Sequence, residues 1–170
     1  TRLMKPLVSV IMNCFNGDKF LKRSVESVLN QSYKNIELIF WDNLSTDKSE
    51  IIIKKFKDKR IKYFKSKKFL TLYNARNFAV KKARGNFISF LDTDDWWDKN
   101  KIKKQLDILK KNTKIDIVYS NYYIFNHYNK KKRLVSKNLL PEGFITQNLL
   151  DDYRVGILTV LIRKKIFLKE

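Results

Sequence analysis

The amino-acid sequence predicts a three-layer α/β fold with a largely parallel central sheet. Three observations carry that expectation. Short, near-continuous apolar runs recur at residues 7–12 (LVSVIM), 36–41 (IELIFW) and 87–91 (FISFL), as strands covered on both faces require. Segments with an apolar stripe at helical spacing separate them. The two kinds of segment alternate up to residue 119, which is the rhythm of βαβ units.

Each element follows from local pattern. The first strand runs into a polar loop, 13–18, that contains Gly17. Over 20–31, Leu21, Val25, Val28 and Leu29 share one helix face. The second strand, 36–41, precedes Asp42-Asn43-Leu44-Ser45-Thr46-Asp47, where Asp47 and Glu50 are spaced as a capping box for a helix over 51–57. A third strand covers 61–64. Leu72, Ala75, Ala79 and Ala83 mark the next helix face, with Gly85 as its expected stop. The fourth strand, 87–91, ends abruptly at Asp92-Thr93-Asp94-Asp95. Ile102, Leu106 and Leu109 predict a helix over about 99–112. Residues 115–119 predict a fifth strand. After Ser120 the rhythm changes: 122–125 and 134–137 predict a hairpin across a basic turn, 146–151 a short helix and 157–162 a last strand.

Composition narrows the function classes. The chain has 170 residues, 44% of them apolar, which is enough for a substantial core. One cysteine and one histidine exclude an internal disulfide and a Cys/His zinc cluster, and favour a reducing compartment. No apolar run is long enough to span a bilayer. The net charge of +20 is carried by 29 lysines against 8 arginines, scattered over the predicted helix faces and loops. Base readout and phosphate forks favour arginine, so nucleic-acid binding is not expected, although the field favours anionic ligands in general. The chain opens at Thr1 and closes at Glu170 inside a fresh apolar pattern, so it is expected to be C-terminally truncated.

Ligands of open α/β sheets bind beyond the carboxyl ends of the strands, near the point where strand order reverses. Asn13-Cys14-Phe15-Asn16 follow the first strand, Asp42-Asn43 the second, and Asp92-Thr93-Asp94-Asp95 the fourth. Asp42, Asp92, Asp94 and Asp95 are therefore expected on one edge. Crowded carboxylates call for a cation, and hard oxygens suit Mg²⁺ or Mn²⁺. Two plainer readings stand beside this: Asp42 as a turn residue bonding its own backbone, and the later aspartates as helix caps. The four glycines form neither G-x-G-x-x-G nor a P-loop. A diphosphate would then depend on metal and basic side chains, of which Arg76 is the best placed; its plain reading is a surface arginine.

The ordered set Val8-Ser9-Val10-Ile11-Met12-Asn13-Cys14-Phe15-Asn16, Asp42-Asn43-Leu44-Ser45-Thr46-Asp47, Ala75-Arg76-Asn77 and Phe90-Leu91-Asp92-Thr93-Asp94-Asp95-x-Trp97 resembles family 2 glycosyltransferases of the GT-A fold. The resemblance implies one GT-A domain over 1–170, with 7–120 as its nucleotide-binding half and 121–170 as the incomplete start of its acceptor half. It also implies inverting transfer of a sugar from a nucleotide diphosphate, a UDP-sugar favoured, to an acceptor hydroxyl with Mn²⁺ or Mg²⁺. The acceptor would be a glycan or lipid-linked oligosaccharide, and the location cytoplasmic, at the inner face of a membrane with peripheral association.

Carried over by position, Asn13 and Phe15 line the base pocket with Asn16 beside them, and Asp42 bonds base or ribose. Arg76 sits by the phosphates. Asp92 and Thr93 belong to the ribose and metal shell, and Asp94 ligates the metal with Asp92. Asn43 stands where a second carboxylate is usual. The catalytic base of this family follows the strand at 157–162, and neither Asp151, Asp152 nor Glu170 matches it, so it is expected beyond residue 170. Donor binding should then exceed turnover. Nucleotidyltransferase and non-catalytic basic-module readings remain as alternatives. Trp96 and Trp97 are read as a hydrophobic staple first and as a sugar platform second. His127 is read as a solvated turn residue, and Cys14 as a small packed side chain.

Overall fold

A computed structural model describes residues 5–168. The chain order is β1 (Val8–Cys14), α1 (Asp18–Leu29), β2 (Ile36–Asp42), α2 (Ser49–Lys55), β3 (Ile61–Lys65), α3 (Leu72–Lys82), β4 (Phe87–Phe90), α4 (Lys101–Lys111), β5 (Ile117–Val118), β6 (Tyr123–Phe125), β7 (Lys132–Leu134), α5 (Thr146–Asp151) and β8 (Leu161–Arg163). Short 3₁₀ turns, Ile157–Thr159 and Lys164–Leu168, flank β8.

The main sheet has strand order β3-β2-β1-β4-β8-β5. β1 pairs in parallel with both β2 and β4, and β2 with β3. The apolar runs earn their central places: every residue of β2 and β4 is buried, while edge strand β3 is only partly covered. Side-chain parity sorts the two faces. Val8, Val10, Met12 and Cys14 of β1, with Leu38 and Phe40 of β2, meet Leu21, Val25 and Val28 of α1, Ile53 of α2, and Ile102, Leu106 and Leu109 of α4. Ile11, Ile39 and Trp41 face the other way, onto Ala75, Ala79 and Ala83 of and beside α3. The alanines let α3 lie close to the sheet. The expected three layers are therefore present.

The sheet is less parallel than the alternation implies. β8 is inserted between β4 and β5 and runs antiparallel to both. A strand arriving from forty residues downstream has no local signal that says where it pairs. The expected fifth strand shrinks to Ile117–Val118 at this edge. The hairpin forms as β6 and β7, with Tyr123 opposite Leu134, two residues earlier on its second arm than the apolar pattern suggests.

Two terminal signals act differently from expectation. Lys48, not Asp47, is the N-cap of α2; Asp47, one residue ahead of it, accepts from Ser49 N at 2.9 Å, and Glu50 closes no box but pairs with Lys54 and Lys65. Gly85 does not take the left-handed C-cap conformation. Its need is close approach: a β-carbon there would lie 2.7 Å from Leu7 O, Ser9 N and Ser9 Oγ. Gly85 N donates to Ser9 Oγ, which itself donates to the buried Glu37 carboxylate.

Strand order reverses between β1 and β4: the chain leaves β1 toward β2 and β3, then returns through α3 to β4 on the other side. The carboxyl ends of β1 and β4 thus frame the crevice of an open α/β sheet.

Candidate functional site

Three loops meet at that crevice and are tied to each other. Asn16 sits at φ 53°, which asparagine tolerates, and its Oδ1 accepts from Thr46 N at 2.8 Å. Asn16 N donates to Ser45 Oγ, and Gly17 N to Ser49 Oγ. On the opposite flank, a β-carbon on Gly17 would lie 2.5 Å from Thr93 Oγ1, so only glycine lets the β1 and β4 loops touch. Ser24 of α1 donates to the carbonyls of Thr93 and Asp95, anchoring the acidic loop from below.

The predicted residues divide into two groups. Asp42 ends β2 on the face of Leu38 and Phe40, is fully buried, and has both oxygens engaged. Oδ1 accepts from Ser45 N at 2.7 Å and Oδ2 from the Tyr63 hydroxyl at 2.8 Å. Burial and the neighbouring carboxylate push the Tyr63 hydroxyl pKa far upward, so it stays a donor. With Oδ1 on Ser45 N, Asp42 has the backbone contact of the turn-aspartate reading. Asn16, equally, spends its side chain on Thr46.

The second group lies on the α3 side and around the fourth strand end. Asn13 shares the face of Ile11, and its Nδ2 is buried without a partner. Phe15 is 52% exposed. Arg76 of α3 reaches Asp92 at the end of β4, its Nη2 donating to Oδ1 at 2.8 Å and to Oδ2 at 3.1 Å. Asp94 is exposed and has no side-chain partner among the described residues. Asp95 is pushed up to about 6 by burial first, then by the charges of Asp94 and Asp92. One carboxylate is thus neutralised by arginine, one is driven toward its acid form, and one is free.

Among the described residues, no three His, Cys, Asp or Glu side chains converge into a ready-made cage. The set still fits Mn²⁺ or Mg²⁺, because these ions settle for one or two carboxylates and take the remainder from phosphate oxygens and water. Asp94, with Asp92 beside it, would hold such an ion.

Sequence reasoning missed several neighbours. Asn43, on the face of Trp41, clamps the β3–α3 loop: Nδ2 donates to Leu70 O at 2.8 Å and Oδ1 accepts from Leu70 N at 3.1 Å. That loop sets Phe69 against Phe15, ring centroids 4.9 Å apart and edge to face. An aromatic residue closing the lysine-rich run Lys67-Lys68-Phe69 was the available signal. Trp97 is a staple as expected, buried and donating its Nε1 to Leu158 O. At Trp96 the Arg23 guanidinium lies 3.4 Å from the ring centre and Phe125 abuts the ring edge on. His127 is an exposed turn residue, as expected, and its ring also stacks on Phe20 at 4.6 Å and meets Phe125. Cys14 is buried, as expected. Asp151 accepts from Gln147 and Asp152 pairs with Arg154, both on the surface; Glu170 lies outside the described residues.

The family model for glycosyl transferase family 2 matches residues 9–167, so the chain belongs to that family. It is 36% identical over 94% of its length to the E. coli UDP-Glc:alpha-D-GlcNAc-diphosphoundecaprenol beta-1,3-glucosyltransferase WfgD, of which it covers 61%. It is 32% identical over 95% of its length to the putative teichuronic acid biosynthesis glycosyltransferase TuaG of Bacillus subtilis, covering 64%. The chain therefore spans about three fifths of the length of these relatives. The GT-A fold itself is shared with S. aureus TarS 1-349, at TM-score 0.75 and 22% identity over 95% of this chain and 48% of that one. A mannosyltransferase from Pyrobaculum calidifontis, in complex with GDP-Man and Mn²⁺, matches at TM-score 0.72 and 13% identity, over 98% and 47%. Among the described residues no helix is long and apolar enough to cross a membrane.

Proposed function

We propose that this chain carries the donor half, 7–120, and the start of the acceptor half, 121–170, of an inverting glycosyltransferase. Its donor would be a nucleotide diphosphate sugar, with a UDP-sugar favoured, and its acceptor a hydroxyl of a glycan or lipid-linked oligosaccharide at the cytoplasmic face of a membrane. The observation that carries the reading is the junction of the Arg76–Asp92 pair and free Asp94 with the end of β1, at the switch point of the sheet. The relatives' names support the donor and acceptor classes: one names UDP-Glc and a diphosphoundecaprenol-linked GlcNAc, and one solved TarS structure holds UDP-GlcNAc.

In this reading each residue has a distinct task. Phe15 offers an apolar face to the base, and Asn13 an unspent donor to a base carbonyl. Asp92, already oriented by Arg76, accepts from ribose hydroxyls, while the guanidinium faces the phosphate charge. Asp94 would hold Mn²⁺ or Mg²⁺, an ion that would supply stabilisation of negative charge on a diphosphate. Asp42 and Asn16, tied in with Ser45 and Tyr63, hold the loops of the base and ribose end in register. The proton of the attacking hydroxyl goes to a carboxylate outside residues 1–170, since Asp151 and Asp152 are committed on the surface.

Thermal melting with UDP plus Mn²⁺, UDP plus EDTA, and an oligonucleotide tests the proposal. The stabilising shift should come from UDP, grow with Mn²⁺, and lose its metal-dependent part in Asp94→Ala. An equal UDP shift in wild type and Asp94→Ala, or a response to oligonucleotide alone, would refute it.

A further inference from the structure

Between the end of β4 at Phe90 and the start of α4 at Lys101 the chain has neither strand nor helix. This stretch carries Asp92, Asp94 and Asp95, whose charges repel one another. A single turn bond, Asp95 N to Asp92 O at 3.2 Å, spans the acidic cluster from within. The remaining order comes from α1. Ser24, Ser27 and Gln31 recur at spacings of three and four, beside the apolar stripe of Leu21, Val25 and Val28. Ser24 Oγ donates to Thr93 O at 2.7 Å and to Asp95 O. Ser27 Oγ accepts from Trp97 N at 3.2 Å. Gln31 donates its Nε2 to Asp98 O at 2.7 Å and accepts at Oε1 from Ile102 N at 3.1 Å. Three side chains of one helix face thus bind backbone groups of the stretch in order, from the acidic cluster to the first turn of α4.

The Ser24 contact is distinguished by what it encloses. The two carbonyls it binds belong to the residues immediately before and after Asp94. Ser24 is buried at 1% exposure, so no water competes for them, while Asp94 between them stands exposed. A mobile loop would have to gather its carboxylates against their own repulsion and give up conformational freedom each time an ion bound. Here the fold has already imposed that order. We propose that Ser24 is a positioning residue for the divalent ion: by holding the carbonyls of Thr93 and Asp95 it presets the Asp94 carboxylate and raises metal affinity without touching metal or nucleotide. This deepens the donor-site reading above and rests on it. A hydroxyl that only satisfied buried carbonyls would contribute stability and nothing else.

The test titrates UDP calorimetrically, in EDTA and at a series of Mn²⁺ concentrations, into wild type, Ser24→Ala, Ser27→Ala and Ser9→Ala. Ser9→Ala is the matched control, because it also removes a buried hydroxyl with two hydrogen bonds, to Glu37 and Gly85, at the opposite end of β1 from the site. Melting temperatures verify that each variant folds. In Ser24→Ala the Mn²⁺ concentration that gives half of the gain in UDP affinity should rise about tenfold, as on loss of a group that orients a metal ligand. UDP affinity in EDTA should match wild type. Ser27→Ala should shift the Mn²⁺ dependence the same way by less, and Ser9→Ala should not shift it. Unchanged Mn²⁺ dependence in Ser24→Ala, or in Ser27→Ala where only that variant folds, would overturn the role of Ser24 and leave the donor site standing. An equal shift in Ser9→Ala would overturn it too. A wild type whose UDP binding ignores Mn²⁺ would overturn the metal reading and this inference together.

Discussion

At the scale of single residues, one-step parity along a strand decides who can meet a ligand. Asp42 and Asn43 are adjacent, yet Asp42 follows Leu38 and Phe40 onto the α1 and α2 side, whereas Asn43 follows Ile39 and Trp41 toward α3. The acidic character of the rim was legible in the sequence, and so was its location at strand ends. Which carboxylates remain free was not, because that depends on partners distant in the chain: Tyr63 for Asp42, Arg76 for Asp92. The alternation of Val8, Val10, Met12 and Cys14 carried the parity that would have turned Asp42 inward. The scaffold role can be separated from a ligand role. Tyr63→Phe leaves a buried carboxylate oxygen short of one donor, so it should cost about 2 kcal/mol in urea unfolding. UDP affinity should stay as in wild type. A large loss of UDP affinity at unchanged stability would show that the Asp42–Tyr63 pair acts on the nucleotide.

At the scale of elements, strands one to four and the helices between them fall within a few residues of their predicted places, because burial on both faces writes a continuous apolar run. The antiparallel β8 was invisible as a neighbour of β4, since its pairing is a long-range choice. Two element junctions make sharp predictions. Gly85→Ala drives a methyl group into backbone atoms of Leu7 and Ser9, and should destabilise the protein by about 2 kcal/mol, read from its urea midpoint. The other junction is the start of α4, where Lys101 is buried with its Nζ donating to Ser89 Oγ and lying over the Trp97 ring.

Burial pulls the Lys101 pKa well below the ordinary lysine value, and its charge also sits at the unfavourable end of the helix dipole. Below the ordinary lysine range the unfolded chain holds a proton that the folded chain resists, so this penalty shrinks as pH rises toward that range. Lys101→Met should therefore raise stability at neutral pH by about 1 kcal/mol. The variant's advantage should fade as the buffer is made alkaline. A variant less stable than wild type at neutral pH would show that the hydrogen bond and ring contact outweigh desolvation.

At the scale of the whole molecule, a net charge of +20 surrounds a small acidic rim. The broad field favours anionic ligands without selecting one, while the rim provides the only cluster of carboxylates at the switch point among the described residues. A competing location exists: an open groove of about 470 Å³ between α1 and the loop before α4, lined by Arg23, Lys34, Trp96 and Lys99. Its basic lining would also attract a diphosphate, but it holds no free carboxylate for a metal other than Glu26, and it lies off the strand ends. A crystal soaked with UDP-glucose and Mn²⁺ separates the two directly. The account predicts the nucleotide at the strand ends, with its base against Phe15 and the metal ion at Asp94. A nucleotide seated in the Arg23–Lys34 groove, with the strand-end aspartates bare, would contradict it.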